Sequence, residues 1–189
     1  MKEMNRREFL TLSGAAVVAL SLAGCGGPSV PPAAPTSKET DLVAAINRVW
    51  KKKYEANEVA HEQLTLNQDA VDVISAYGHI CEKANETPHI PTKDDFTMIS
   101  EGSGKFKEKM QKYGTSCFAG MAGVTTPFAN KVIALEDAYS CEDTAVQAFV
   151  EKLLNSLFNS SKAEFISIYL PVVQGTTYMT AAIFLNDKA

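Results

Sequence analysis

Histidine is scarce, with 3 in 189 residues, the chain has a single Trp, and acid outnumbers base, 22 Asp+Glu against 18 Lys+Arg. The resulting formal charge of −4 speaks against a nucleic-acid partner, because phosphate affinity needs a clustered positive surface. No GxSxG elbow, SxxK pair, P-loop or GxGxxG run occurs, and none of His61, His79 and His89 sits in HExxH, in CxxC or four residues from another histidine. The sequence therefore assigns no catalytic residue, no metal ligand and no cofactor. No apolar run reaches the roughly 20 residues needed to cross a ~30 Å hydrocarbon core, and no internal repeat is visible. With 11 Gly and 8 Pro, a collagen-like or wholly disordered chain is excluded, and the length suits one compact domain.

What is present is concentrated first at the N-terminus. Lys2, Arg6 and Arg7 precede the run Phe9–Leu22, whose apolar character is diluted by Thr11, Ser13, Gly14 and Ser21. This is the pattern of a charged n-region and a short h-region. Asn5-Arg6-Arg7-Glu8-Phe9-Leu10 resembles the twin-arginine export signal, with Arg6 and Arg7 as its pair, and such routes carry folded cargo. Leu22-Ala23-Gly24-Cys25 resembles a bacterial lipobox, which implies that residues 1–24 are a signal peptide and that the Cys25 thiol receives a diacylglycerol before cleavage. Cleavage would remove three basic and two acidic side chains, leaving a more acidic body that anionic headgroups repel. Attachment to the lipid bilayer would then rest on the acyl chains at Cys25, each buried methylene contributing about 0.8 kcal/mol. The expected location is the cell envelope, facing periplasm or exterior, and Gly26 leaves an outer-membrane destination open. Residues 25–40, with Pro28, Pro31, Pro32 and Pro35, read as an extended tether.

Residues 41–189 carry the domain. Thr40 is a candidate cap for a helix with Leu42, Val43, Ile46, Val49, Trp50 and Tyr54 on one face. A second helix begins near Asn67 and lines up Ala70, Val73, Ile74, Tyr77, Cys81 and Ala84, until Thr87-Pro88-His89-Ile90-Pro91 breaks it. Lys105 to Tyr113 has a short amphipathic pattern closed by Gly114. Ser140 with Asp143 fits a capping pattern ahead of the stripe Val146, Phe149, Val150, Leu153, Leu154 and Leu157. Cys117 to Val124 is a candidate strand, and Phe165 to Val173 with Tyr178 to Leu185, flanking Gln174-Gly175-Thr176, predict a terminal hairpin. Helices followed by a hairpin predict an α+β fold.

Past Cys25 the cysteines are Cys81, Cys117 and Cys141, an odd number. Three pairings are possible in a disulfide-permissive compartment, and Cys117 with Cys141 is favoured because Cys81 falls on an apolar helical face. No local motif marks a catalytic thiolate. His79 and Cys81 are two apart, which on a helix points them away from each other, so His79 reads as a polar residue at the edge of a packed helix. His89 lies between prolines, where a fixed backbone can hold an imidazole toward a cleft or toward water. The sequons Asn85-Glu86-Thr87 and Asn159-Ser160-Ser161 are expected to stay unmodified in a bacterial lipoprotein.

The order of these elements resembles the bacterial SCP-like branch of the CAP superfamily, the cysteine-rich secretory, antigen-five and pathogenesis-related proteins. Asn47 resembles the Asn of that family's opening helix, and Leu64-Thr65-Leu66-Asn67 with Val71 to Ala84 resembles the entry to its second helix. Pro88-His89-Ile90 falls where the family has its first cleft histidine, Ala119-Gly120-Met121 where it has a Gly-Glu-Asn strand, and Val150 to Ser156 where a helix closes in Asn-Ser. The resemblance spans about residues 41–186 and implies an α-β-α sandwich in a single domain with a C-terminal hairpin. It also implies a cleft at His89, Met121 and Asn159, with Met121 in place of the glutamate and Asn159 in place of the second histidine. One imidazole without carboxylates binds divalent metal poorly, so the implied module is degenerate and its cleft suits a small apolar ligand or an envelope component.

The expected function is a membrane-anchored, noncatalytic binding or scaffolding lipoprotein. The alternatives are an envelope hydrolase or protease-like enzyme, in which His89 would converge with two or more of Glu82, Glu86, Glu101 and Glu142, and a solute- or cofactor-binding lipoprotein.

Overall fold

In the computed structural model the described residues are 37–86, 117–123 and 137–186, with the single positions Lys93, Asp94, Thr97, Glu101, Gly104, Glu108 and Gln111 on helical backbone between them. The signal-peptide and tether residues up to Thr36, including Arg6, Arg7 and Cys25, lie outside the described residues, and so does His89. Of the amphipathic stretch Lys105 to Tyr113, only Glu108 and Gln111 are described.

Helix α1 (Ser37–Glu55) buries Leu42, Val43, Ala45, Ile46, Val49 and Trp50, the spacing that puts apolar side chains on one face. It starts at Ser37, within the stretch expected to be tether, so Thr40 does not cap it and instead donates its hydroxyl to the Ser37 carbonyl at 2.9 Å. Tyr54, counted with the apolar face, is 42% exposed at the last turn. Glu39 in the first turn and Lys52 and Lys53 in the last complement the helix dipole.

Strand β1 (Thr65–Leu66) leads through a 3-10 turn (Gln68–Ala70) into helix α2 (Val71–Ala84). Ala70, Val73 and Ile74 are buried as the periodicity requires, whereas the side chains of Tyr77, Cys81 and Ala84 lie outside the described residues. Strand β2 (Phe118–Ala122) falls inside the expected Cys117 to Val124. Helix α3 (Asp143–Ser156) buries Val146, Phe149, Val150 and Leu153. Its N-cap is Glu142 without a side-chain cap bond, while Ser140 Oγ accepts the Glu142 N–H at 3.1 Å in a turn just before the helix. Leu157 ends up past the helix and 49% exposed.

The C-terminal hairpin is longer and more articulated than expected. Strands β3 (Phe165–Tyr169) and β6 (Thr180–Phe184) pair antiparallel, and the same register continues into β4 (Val172–Val173) and β5 (Thr176–Thr177), so Thr176 is strand rather than turn. Pro171 separates the two ladders, because it has no N–H to give and its carbonyl takes the Tyr178 N–H instead, at 2.8 Å.

The main sheet has order β1-β3-β6-β2, with β1 parallel to β3 and the remaining pairs antiparallel. Alternation along the strands feeds two cores. Ile166, Ile168, Ala181 and Ile183 join Trp50, Phe149 and Leu153 of α1 and α3. Ala182 and Phe184 join Val73 and Ile74 of α2, with Phe165, Met121 and Tyr169 packed at that cluster's margin. The layering is thus helix pair, sheet, helix, the α-β-α arrangement of an α+β domain.

Candidate functional site

The residues with convergent polar groups lie between α2 and the β4–β5 ribbon. Gly78 sits mid-helix in α2, where glycine costs about 1 kcal/mol against alanine. The reason is contact: a Cβ there would run into the Tyr169 ring. With no side chain in the way, the Tyr169 ring lies against the α2 backbone, and its hydroxyl reaches Glu82 Oε2 at 3.0 Å. His79 Nδ1 is 2.9 Å from that same oxygen and 3.0 Å from the Tyr169 hydroxyl, and the two rings meet edge to face with centroids 4.9 Å apart. The other carboxylate oxygen, Glu82 Oε1, accepts the Val172 N–H at 2.9 Å. Glu82 therefore fastens α2, the end of β3 and the start of β4 to one another.

The electrostatics fit this arrangement. Burial, followed by the negative charge of Glu82, holds the Tyr169 phenol well above its ordinary 10.0, so it stays protonated and donates. The tautomer of His79 that satisfies the cluster carries its hydrogen on Nδ1, which leaves Nε2 directed away from Glu82 on a side chain 64% exposed.

Above this floor a groove of about 640 Å³ is lined by His79, Glu82, Lys83, Glu86 and the strand residues Val172, Val173 and Gln174. Val173 is buried, whereas Val172 is 51% exposed. The two-residue turn Gln174-Gly175 has φ of 49° and 80°, the left-handed pair of a type I′ hairpin, and the first position normally favours Asn, Asp or Gly. Gln174 is held there by a bond from Nε2 to the Asn85 carbonyl at 3.2 Å, which ties the turn to the end of α2.

The residues read from sequence distribute as follows. Met121 packs with the α2-side cluster, and its backbone N–H is accepted by Ser156 Oγ at 3.1 Å. Asn159 precedes the 3-10 turn Ser160–Lys162, whose Ser160 is fixed to the Ala119 carbonyl at 2.8 Å and whose neighbour Ala163 belongs to the core on the other face. Met121 thus sits on the strand beside the end of α3, Asn159 in the turn that follows that helix, and His89 lies outside the described residues. The expected Cys117–Cys141 bridge is not made. Both are thiols; Cys117 Sγ donates to Asn186 Oδ1 at 2.9 Å on the α2 side, and Cys141 Sγ to the Tyr139 hydroxyl at 3.4 Å against the other core. The sheet between them keeps them apart. Of the carboxylates considered for acid–base work, Glu82 and Glu86 line the groove, Glu142 stands at the N-cap position of α3 without a side-chain cap bond, and Glu101 is described only as an exposed helical position.

His79, read from sequence as a polar residue at a helix edge, and Tyr169, which sequence did not single out, meet at this groove. The signal was His79-Ile80-Cys81-Glu82, an i, i+3 His/Glu spacing that follows a mid-helix glycine. Among the described residues no three His, Cys, Asp or Glu side chains converge as a metal site, and no helix is long and apolar enough to cross a membrane. No family model, curated protein or solved structure matches this chain.

Proposed function

We propose that this chain is a twin-arginine-exported bacterial lipoprotein, anchored through acylated Cys25, whose α+β domain is a noncatalytic binding unit related to the CAP modules. The observation that carries the binding reading is Glu82: both of its oxygens are occupied by structural donors, which makes the groove a fixed surface rather than an acid–base pair awaiting substrate. Among the described residues its lining contains no serine, threonine or cysteine. The α-β-α layering and the placement of Asn47 beside Leu64 support the CAP relationship. The test for the anchor is metabolic labelling: palmitate enters the wild-type chain, Cys25→Ala takes up none, and only the wild type stays with washed membranes. Equal retention of both forms contradicts the anchor.

A second reading, a hydrolase of the envelope, draws on one observation. A carboxylate on His79 Nδ1 leaves Nε2 outward, the posture of a general base acting on water. Turnover of ester or peptide substrates that disappears in His79→Ala, in a variant that still folds, would establish it over the binding reading.

A further inference from the structure

We infer that the groove between α2 and the β4–β5 ribbon takes the two charged ends of a short zwitterionic peptide, of dipeptide length. This rests on the binding reading above and names its ligand.

Three features of the groove lead there. The first is a pair of opposite charges: Lys83 and Glu86 both line the groove, both are exposed, and among the described residues neither is in a salt bridge. Glu86 lies just past the end of α2, and its N–H reaches the Lys83 carbonyl at 3.4 Å, a turn that keeps the two Cα atoms within about 7 Å of each other. A two-residue peptide in extended form spans about 7 Å, whereas the charges of a free amino acid sit on one carbon. The spacing therefore suits a dipeptide better.

The second is the wall facing them. In a two-residue hairpin the closing pair, Val173 and Thr176, exchanges hydrogen bonds inward, so the next pair, Val172 and Thr177, turns its N–H and C=O groups outward. Two observed bonds agree: the Thr177 carbonyl accepts from Tyr139 at 2.7 Å on one side, and the Val172 N–H goes to Glu82 on the other. The same register turns the Val172 carbonyl to the groove as an acceptor. Gln174 gives Nε2 to Asn85, which leaves Oε1 as a second acceptor on that wall. An ammonium is thus met by Glu86, the Val172 carbonyl and Gln174 Oε1, and a carboxylate by Lys83.

The third is the backbone at Gln174, held at φ 49° where glutamine is disfavoured. Its carboxamide position is what that conformation secures. The half-exposed Val172 side chain adds an apolar contact that fits a small side chain such as a methyl group.

The experiment is calorimetric titration of the full chain carrying Cys25→Ser, so that no acyl chain is present. The probes are L-alanyl-L-alanine, its N-acetyl derivative, its C-terminal amide, and free L-alanine. Dialanine is expected to bind, and each of the other three to bind about tenfold or more weaker, the loss expected for one charge-assisted contact. In Lys83→Met the difference between dialanine and its amide disappears, and in Glu86→Gln the difference between dialanine and its acetyl derivative disappears. Both positions are exposed, Lys83 in the last turn of α2 and Glu86 just past it, so unchanged thermal unfolding verifies the fold of each variant. No binding of dialanine, or equal affinity for dialanine, its acetyl derivative and its amide, overturns the inference. Native mass spectrometry of protein taken from membranes separates this failure from that of the binding reading: a retained non-peptide mass overturns the dipeptide alone, and no retained mass together with no dialanine binding overturns both.

Discussion

Asn47 and Leu64 hold each other through two hydrogen bonds, Asn47 Nδ2 donating to the Leu64 carbonyl at 2.9 Å and the Leu64 N–H donating to Asn47 Oδ1 at 2.8 Å. The amide of a helix residue thereby substitutes for a strand partner and fixes where the chain enters β1. Asn47→Ala strands both backbone groups of the buried Leu64, and the loss is expected at about 2–3 kcal/mol in urea unfolding. A loss under about 0.5 kcal/mol would show that the pair contributes little.

Gly78→Ala sets a better helix former against the Tyr169 ring. The gain in propensity is about 1 kcal/mol, but the ring must move off Glu82 to make room. The variant is expected to be less stable than wild type and to expose Tyr169, seen as a change in its ring NMR signals. Smaller partners relieve the clash, so Gly78→Ala costs less in a Tyr169→Ala background, a non-additivity that a double-mutant cycle reads. Strict additivity would contradict the contact.

Two tyrosines resist ionisation in the folded chain. The Cys141 sulfur bonded to Tyr139, together with burial, pushes that phenol up to about 12, and Tyr169 is raised by burial and by Glu82. An acid whose folded value lies above its unfolded one contributes fully below the unfolded value, 10.0 here, and loses that contribution as pH rises toward the folded value. Stability is therefore expected to be level to about pH 9 and to fall from about pH 10 upward. Tyr169→Phe, measured across the same pH range, has the shallower alkaline decline; identical slopes would contradict the assignment.

Much of the architecture could be read from apolar spacing. The stripes of α1 and α3 bury the residues that periodicity selected, and the terminal hairpin falls where two β-branched, aromatic runs flank a Gly. Boundaries were less legible, because caps depend on backbone geometry that composition does not encode: Thr40 and Ser140 have the chemistry of caps, yet α1 begins before one and α3 after the other. The site was the least legible. Tyr169 and Glu82 are far apart in sequence and meet only because α2 crosses the end of β3 over Gly78, and the cysteines expected to pair are parted by a sheet that lies between their segments.

Phe158 is 95% exposed in the turn after α3 and makes no core contact. Phe158→Ser is expected to leave stability within about 0.5 kcal/mol of wild type, as measured by urea unfolding. A larger loss would place the ring against the body of the domain.

The account rests most heavily on the covalent state of one sulfur. Mass spectrometry of the N-terminal peptide, from protein extracted in detergent from its native host, is predicted to find a chain that starts at Cys25 and carries a diacylglyceryl thioether there. An unmodified Cys25 with Met1 to Gly24 still attached would contradict it.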